Sequence, residues 1–122
     1  MPQYKAPLRD IRFVMNELLE SEALYKRLPG YEEATQELMD AIVEEGAKFA
    51  ENVLSPLNEP GDEEGCSWKD GVVTTPKGFS EAYQQFVANG WPALSADTAY
   101  GGQGMPDLLG IVANELAGTA NW

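Results

Sequence analysis

The sequence predicts a mainly α fold of four helices with one short β-hairpin near residues 67–74, and three observations support it. Apolar residues recur at intervals of three and four in four separate stretches, which is the spacing of one buried helix face. Proline or glycine lies near the boundaries of these stretches. Asp70-Gly71 separates two short runs of strand-forming residues and is a strong hairpin signal. We expect the helices to pack as an orthogonal or up-down bundle.

The first helix is predicted to begin at Pro7, because proline is favoured in the first turn of a helix. Its apolar pattern weakens towards Leu28-Pro29-Gly30, where the helix is expected to have ended. Its predicted apolar stripe consists of Leu8, Ile11, Met15, Leu18 and Leu19.

The second helix is predicted from about Glu32 to Leu54, where Ser55-Pro56 would end it, and residues 58–66 then read as a polar loop. Gly46 lies on the apolar side of this helix, so we expect a neighbouring backbone to pass close to it. Its predicted apolar stripe consists of Leu38, Ile42, Phe49 and Val53.

The third helix is predicted to start at Thr75-Pro76, a capping residue followed by proline, and to end at Asn89-Gly90. Pro106 is expected to open the last helix, with Leu108, Leu109, Val112 and Leu116 on its buried side. Together these patterns predict one core that contains Leu38, Ile42, Phe49, Phe79, Tyr83, Phe86, Val112 and Leu116.

The charge pattern excludes several classes of protein. The net charge is −12, of which residues 32–64 carry −10. This acidic run is interpreted as a solvated surface, and we expect no nucleic-acid partner because phosphates would be repelled.

The chain has no histidine, which excludes Ser-His-Asp and Cys-His catalysis and the usual zinc sites. No stretch is long and apolar enough for a membrane span, and the first residues lack a signal-peptide pattern, so a cytoplasmic protein is predicted.

Few residues are candidates for chemistry. The cluster at residues 101–104 resembles a phosphate loop, but no Lys-Ser or Lys-Thr follows it, and Asp107 stands where a dinucleotide motif needs glycine. Glu115 could be a general base, although no titrating partner can be identified for it. The single cysteine, Cys66, is expected to be a buried or half-buried spectator. Trp91 and Trp122 could stack on a cofactor, but core or interface roles are more usual. The residues alone therefore predict no catalytic, cofactor-binding or metal-binding position.

Several segments in combination resemble the acyl-CoA dehydrogenase family. They include Gly90-Trp91-Pro92-Ala93-Leu94, the turn from Tyr100 to Pro106 and the helix from Asn114 to Asn121. The stretch from Phe49 to Asn58 is similar to the exit of the family's long second helix. The opening from Tyr4 to Val14 resembles the N-terminal extension of the long bacterial subfamily that includes 3-methylmercaptopropionyl-CoA dehydrogenases.

This resemblance implies that residues 1–30 are the extension helix and that residues 31–122 are the N-terminal helical domain, cut at its C-terminal end. Family members desaturate acyl-CoA thioesters between the α and β carbons with FAD, and the flavin and the catalytic glutamate belong to later domains. The chain alone is therefore expected to be inert, with no cofactor of its own; acyl-CoA would bind only in the parent enzyme. Whether the chain itself is an enzyme stays open.

The expected partners are the remaining domains of such a parent and a second copy of the chain. Only three charged side chains occur from Trp91 to Trp122, so the last helix, Trp122 and the loop around Trp91 and Tyr100 should form an apolar face that favours self-association. The alternative is a free-standing acidic helical module for protein interaction or acyl carriage. An acyl carrier attaches phosphopantetheine to a serine in Asp-Ser-Leu, whereas Ser95 lies in Leu-Ser-Ala-Asp.

Overall fold

The computed structural model describes residues 3–122, which form a helical fold with one two-stranded antiparallel sheet, as the sequence predicts. In chain order the elements are α1 (Leu8–Arg12), the π-helical turn π1 (Phe13–Leu18), α2 (Ser21–Tyr25), α3 (Gln36–Phe49), the π-helical turn π2 (Ala50–Leu54), α4 (Ser55–Glu64), β1 (Ser67–Lys69), β2 (Val72–Thr74), α5 (Phe79–Ala88) and α6 (Asp107–Ala120). Two 3₁₀ turns, Trp91–Ala93 and Thr98–Tyr100, lie between α5 and α6. Among the described residues, no helix has the length and apolar character needed to cross a membrane.

The predicted hairpin is confirmed. Trp68 pairs with Val73, and the turn residues Asp70 and Gly71 have φ angles of 53° and 82°. Two successive positive φ angles are what the tight turn of a two-residue hairpin requires. All six strand residues are exposed, so the hairpin projects from the helical body.

The predicted first helix is interrupted, and its apolar stripe is only partly confirmed. Ile11 and Met15 are buried, but Leu18 and Leu19 are 65% and 48% exposed. The reason is π1: the Leu19 N–H donates to the Val14 carbonyl at 2.9 Å, five residues back, and the wider turn rotates the following side chains away from the core. The segment before residue 30 therefore contributes two buried residues to the same core as α3 and α6.

The predicted bounds of the second helix are wrong at both ends. It begins at Gln36 instead of Glu32, because the Thr35 hydroxyl caps it by accepting the Leu38 N–H at 3.2 Å. It does not stop at Ser55-Pro56 but continues through π2 into α4, so most of the predicted loop is helical. The Ser55 N–H donates to the Ala50 carbonyl, and Pro56 then lies in the first turn of α4, where its missing N–H is tolerated.

The buried face of α3 differs from the predicted apolar stripe. Met39, Val43, Gly46 and Ala47 are buried, whereas Leu38 is 37% exposed. The helix is thus rotated by about one residue from the predicted orientation, because close packing against α6 favours small side chains at the contact. The prediction that a neighbouring backbone passes close to Gly46 is wrong, because side chains approach it instead. An added Cβ there would lie 3.2 Å from the Leu116 Cδ1 and 3.4 Å from the Trp91 ring.

The last two helices are predicted more accurately. α6 follows Pro106 and buries Leu109, Val112 and Leu116, as expected, together with Ala120. α5 starts at Phe79 after Gly78 (φ 89°), so the predicted start at Thr75-Pro76 is wrong, while its end at Asn89-Gly90 is confirmed.

The predicted core of eight residues is partly confirmed. Val112 and Leu116 are buried, and Leu38 and Tyr83 are exposed. The remaining four predicted core residues, Ile42, Phe49, Phe79 and Phe86, are half-buried.

Candidate functional site

The glycine-rich turn is a packing loop whose backbone is already hydrogen-bonded. The N–H groups of residues 101–105 donate to carbonyls of residues 93–98 at 2.9–3.2 Å. An added Cβ on Gly102 would overlap the Ala96 carbonyl, so only glycine fits at this approach. Because these donors point back into the loop, they form no cradle for a phosphate group.

An apolar groove of about 490 Å³ opens beside the end of α6. The Asn121 side-chain amide closes one end by donating to the Leu54 carbonyl at 2.9 Å. Tyr83 and Trp122 line the groove while remaining 66% and 103% exposed. The other lining residues are Leu54, Leu57, Phe79, Ala82, Phe86, Asn114, Ala117 and Gly118. This chain's own side chains therefore leave a large apolar surface uncovered.

A second groove, of about 620 Å³, runs between α3, the end of α5 and the loop around Trp91. Its charged lining residues are Glu45 and Lys48, which form a salt bridge of 2.7 Å, so their charges compensate each other in the groove. The Trp91 Nε1 atom is buried at its wall and has no hydrogen-bond partner. Half-buried Trp91 also packs on Gly46, so it is a structural residue between α3 and α6.

Titratable side chains with shifted pKa values are held in structural contacts. The Glu51 pKa is lowered mainly by the Ala6 N–H and further by Lys5, and the Lys48 pKa is raised by its bond to Glu45. Burial raises the pKa of Tyr25, with added repulsion from Tyr31. The Glu32 pKa is lowered mainly by its own backbone N–H and further by that of Gly30.

The candidate residues do not converge. Glu115 is exposed on α6, and Cys66 is exposed before β1, which corrects the expectation that it is buried. Half-buried Ser95 packs against Gly110, where an added Cβ would lie 3.0 Å from its hydroxyl. Within residues 3–122, no three His, Cys, Asp or Glu side chains are grouped to hold a metal ion.

The predicted apolar face is present at Tyr100, on α6 and at Trp122, but not at Trp91, which is half-buried; elsewhere it extends further than expected. Tyr100 and Ile111 are 90% and 63% exposed. The contribution of Tyr83 and α5 could not be predicted, because the helical spacing of Tyr83 is equally compatible with a buried core position. A second exposed apolar patch, not predicted from the sequence, lies on π1 at Phe13 and Leu18.

Over residues 3–122, fold and surfaces together define a mainly helical domain with two grooves on its surface. No protein-family model matches the chain. It is 36% identical over 118 residues, or 97% of its length, to 3-methylmercaptopropionyl-CoA dehydrogenase of Ruegeria pomeroyi. It is 32% identical over 108 residues, or 80% of its length, to butyryl-CoA dehydrogenase of Syntrophomonas wolfei subsp. wolfei.

The chain is therefore similar to one segment of acyl-CoA dehydrogenases over most of its own length. The matched regions cover 20% and 17% of the two relatives, so the chain spans about a fifth of their length. These matches agree with the family resemblance found in the sequence motifs.

Proposed function

We propose that this chain is the N-terminal structural domain of an FAD-dependent acyl-CoA dehydrogenase, in which residues 31–122 form the family's helical domain and residues 1–30 its extension. In this proposal the whole enzyme desaturates an acyl-CoA thioester, and the chain itself contributes no catalytic, flavin-binding or metal-binding residue. The observation that carries the proposal is the match of 97% of the chain to a dehydrogenase about five times as long.

The surfaces of the chain support this role. The groove beside α6 and the exposed Trp122 are apolar, which suits contact with further domains better than contact with water. Coenzyme A is polyanionic, and a chain with a net charge of −12 offers it a poor surface. The satisfied N–H groups of the glycine-rich turn are unsuitable for a flavin or CoA phosphate.

A domain exchange tests the proposal. The 118 matched residues of the Ruegeria pomeroyi enzyme are replaced by this chain, and the purified chimera is compared with the parent and with a deletion of the same residues. We expect the chimera to retain bound flavin and dehydrogenase activity on the parent's substrate, and the deletion to lose both. A folded, soluble chimera without flavin and activity would contradict the proposal.

The isolated chain gives a second test. We expect it to be colourless after incubation with FAD and gel filtration, whereas stoichiometric visible absorbance would contradict the absence of a flavin site. Intact mass after treatment with a phosphopantetheinyl transferase and coenzyme A should be unchanged. A gain of one phosphopantetheine would instead favour the acyl-carrier alternative.

A further inference from the structure

We propose that residues 3–19, the N-terminal strap, form a separable unit of the chain. Three carboxylates, together called the latch, hold the strap against α3 and π2. Docking of the strap orders the last turn of α6. The strap comprises α1, π1 and the residues on either side of them. It is held along its length by polar contacts to a separate part of the chain.

The latch consists of three carboxylates in an antiparallel ladder. Glu51 accepts the Ala6 N–H at 2.9 Å and the Lys5 ammonium at 3.3 Å. The remaining two rungs lie on α3: Glu44 accepts from Arg12 at 3.2 Å, and Asp40 accepts from the Asn16 amide at 3.0 Å. From the start of the strap to its end, the three partners follow in reverse chain order along π2 and α3, so the contacts define one register.

The strap packs on the core through its inner face, where Tyr4, Ala6 and Leu8 are partly buried beside two buried side chains. Ile11 and Met15 are buried, whereas Phe13 and Leu18 are 53% and 65% exposed on the outer face. Glu20 follows in the left-handed conformation, with φ 47°, and separates the strap from α2. A segment with few buried side chains and a break at its end can open without unfolding of the helical core.

The start of the strap reaches the end of α6. The Tyr4 and Thr119 hydroxyls lie 2.7 Å apart, and Thr119 also donates to the Glu115 carbonyl at 2.7 Å. Asn121 follows the last residue of α6, and its side-chain amide donates a hydrogen bond to the Leu54 carbonyl. Loss of the Tyr4 contact should therefore loosen the last turn of α6, which borders the apolar groove.

Hydrogen exchange of the intact chain, followed by mass spectrometry, tests the proposal. The triple variant Asp40→Asn/Glu44→Gln/Glu51→Gln removes the latch, and Glu45→Gln is the matched control because Glu45 bonds Lys48 instead of the strap. We expect amides of residues 8–18 and 117–121 to exchange about tenfold faster in the triple variant, with α3 unchanged. The control should leave the strap unchanged.

Tyr4→Phe provides a second measurement that removes one hydroxyl and retains the ring. We expect faster exchange confined to residues 117–121. If the triple variant does not fold, Glu51→Gln alone is measured in the same way and should accelerate exchange in the strap before α3. Uniform acceleration across all helices, or no change beyond that of Glu45→Gln, would overturn the proposal.

Discussion

Replacing Gly46 by alanine measures how tightly α3 packs against α6. Alanine should gain about 1 kcal/mol over glycine inside a helix. The new Cβ, however, would lie 3.2 Å from the Leu116 Cδ1 and 3.4 Å from the Trp91 ring, so there is contact on two sides. Overpacking of this kind costs about 1–3 kcal/mol. We therefore expect Gly46→Ala to reduce the free energy of unfolding by about 1 kcal/mol.

The neighbouring side chain makes this prediction sharper. Leu116→Ala alone should cost about 2–5 kcal/mol, because Leu116 is 2% exposed and its loss leaves a cavity. In that background the Gly46→Ala methyl has room, so the substitution should now stabilise by about 1 kcal/mol. The coupling energy between the two sites is then about 2 kcal/mol.

Urea denaturation of the four chains in this cycle gives the coupling energy. Gly118→Ala is the control: it also lies inside a helix, but its Cβ would meet the Trp122 ring at an ordinary 3.6 Å, so it should stabilise by up to about 1 kcal/mol in either background. A coupling energy below about 0.5 kcal/mol would refute the packing argument.

Three further predictions concern burial, pH and association. Phe49→Ala should reduce the free energy of unfolding in urea melts by about 1.5–3 kcal/mol. This is less than for a fully buried phenylalanine, because the ring is half-buried and lies 6.2 Å from that of Phe86. A reduction below about 0.5 kcal/mol would contradict this. Because the folded-state pKa of Glu51 lies below its ordinary value of 4.5, its contribution to stability is present above that value and lost as pH falls through the folded pKa. In Glu51→Gln, the free energy of unfolding measured in melts between about pH 3 and 6 should decrease less as the pH falls. An unchanged pH dependence of this free energy would contradict the prediction. Light scattering should show self-association that increases with concentration and decreases in Tyr83→Glu, which places charge in the apolar groove; a strict monomer at high concentration would contradict the apolar-face argument.

Local signals in the sequence predicted the elements that depend on local chemistry. The hairpin turn at Asp70-Gly71 and the cap at Gly90 follow from positive φ angles that few residues adopt. α6 was predicted well because its apolar spacing is regular and Pro106 marks its start.

The errors arose where an irregular helical turn or a tertiary contact overrides the usual local preference. Ser55-Pro56 predicts a helix end, but π2 changes the hydrogen-bond partners just before it and allows the helix to continue. The contact face of α3 could not be identified from side-chain size, because Gly46, which has no side chain, lies at this face against Leu116 and Trp91.

The surface features were predictable only in part. The shortage of charge after Trp91 indicated an apolar face, but the groove depends on how α4, α5 and α6 meet. The acidic run, interpreted as a solvated surface, also supplies Asp40, Glu44 and Glu51 to the strap. Pairing between residues more than twenty positions apart leaves no local signal in the sequence.

The exposed hairpin offers a place where foreign sequence can be introduced. Gly71 has no atom within 4 Å of an added Cβ, and neither strand contributes a buried residue. A peptide tag or a small reporter domain inserted between Asp70 and Gly71 would lengthen an exposed turn at little entropic cost. Cys66, the single cysteine of the chain, is exposed at the base of the same hairpin and accepts a thiol-reactive dye at one defined position. Both positions lie outside the residues that line the two grooves.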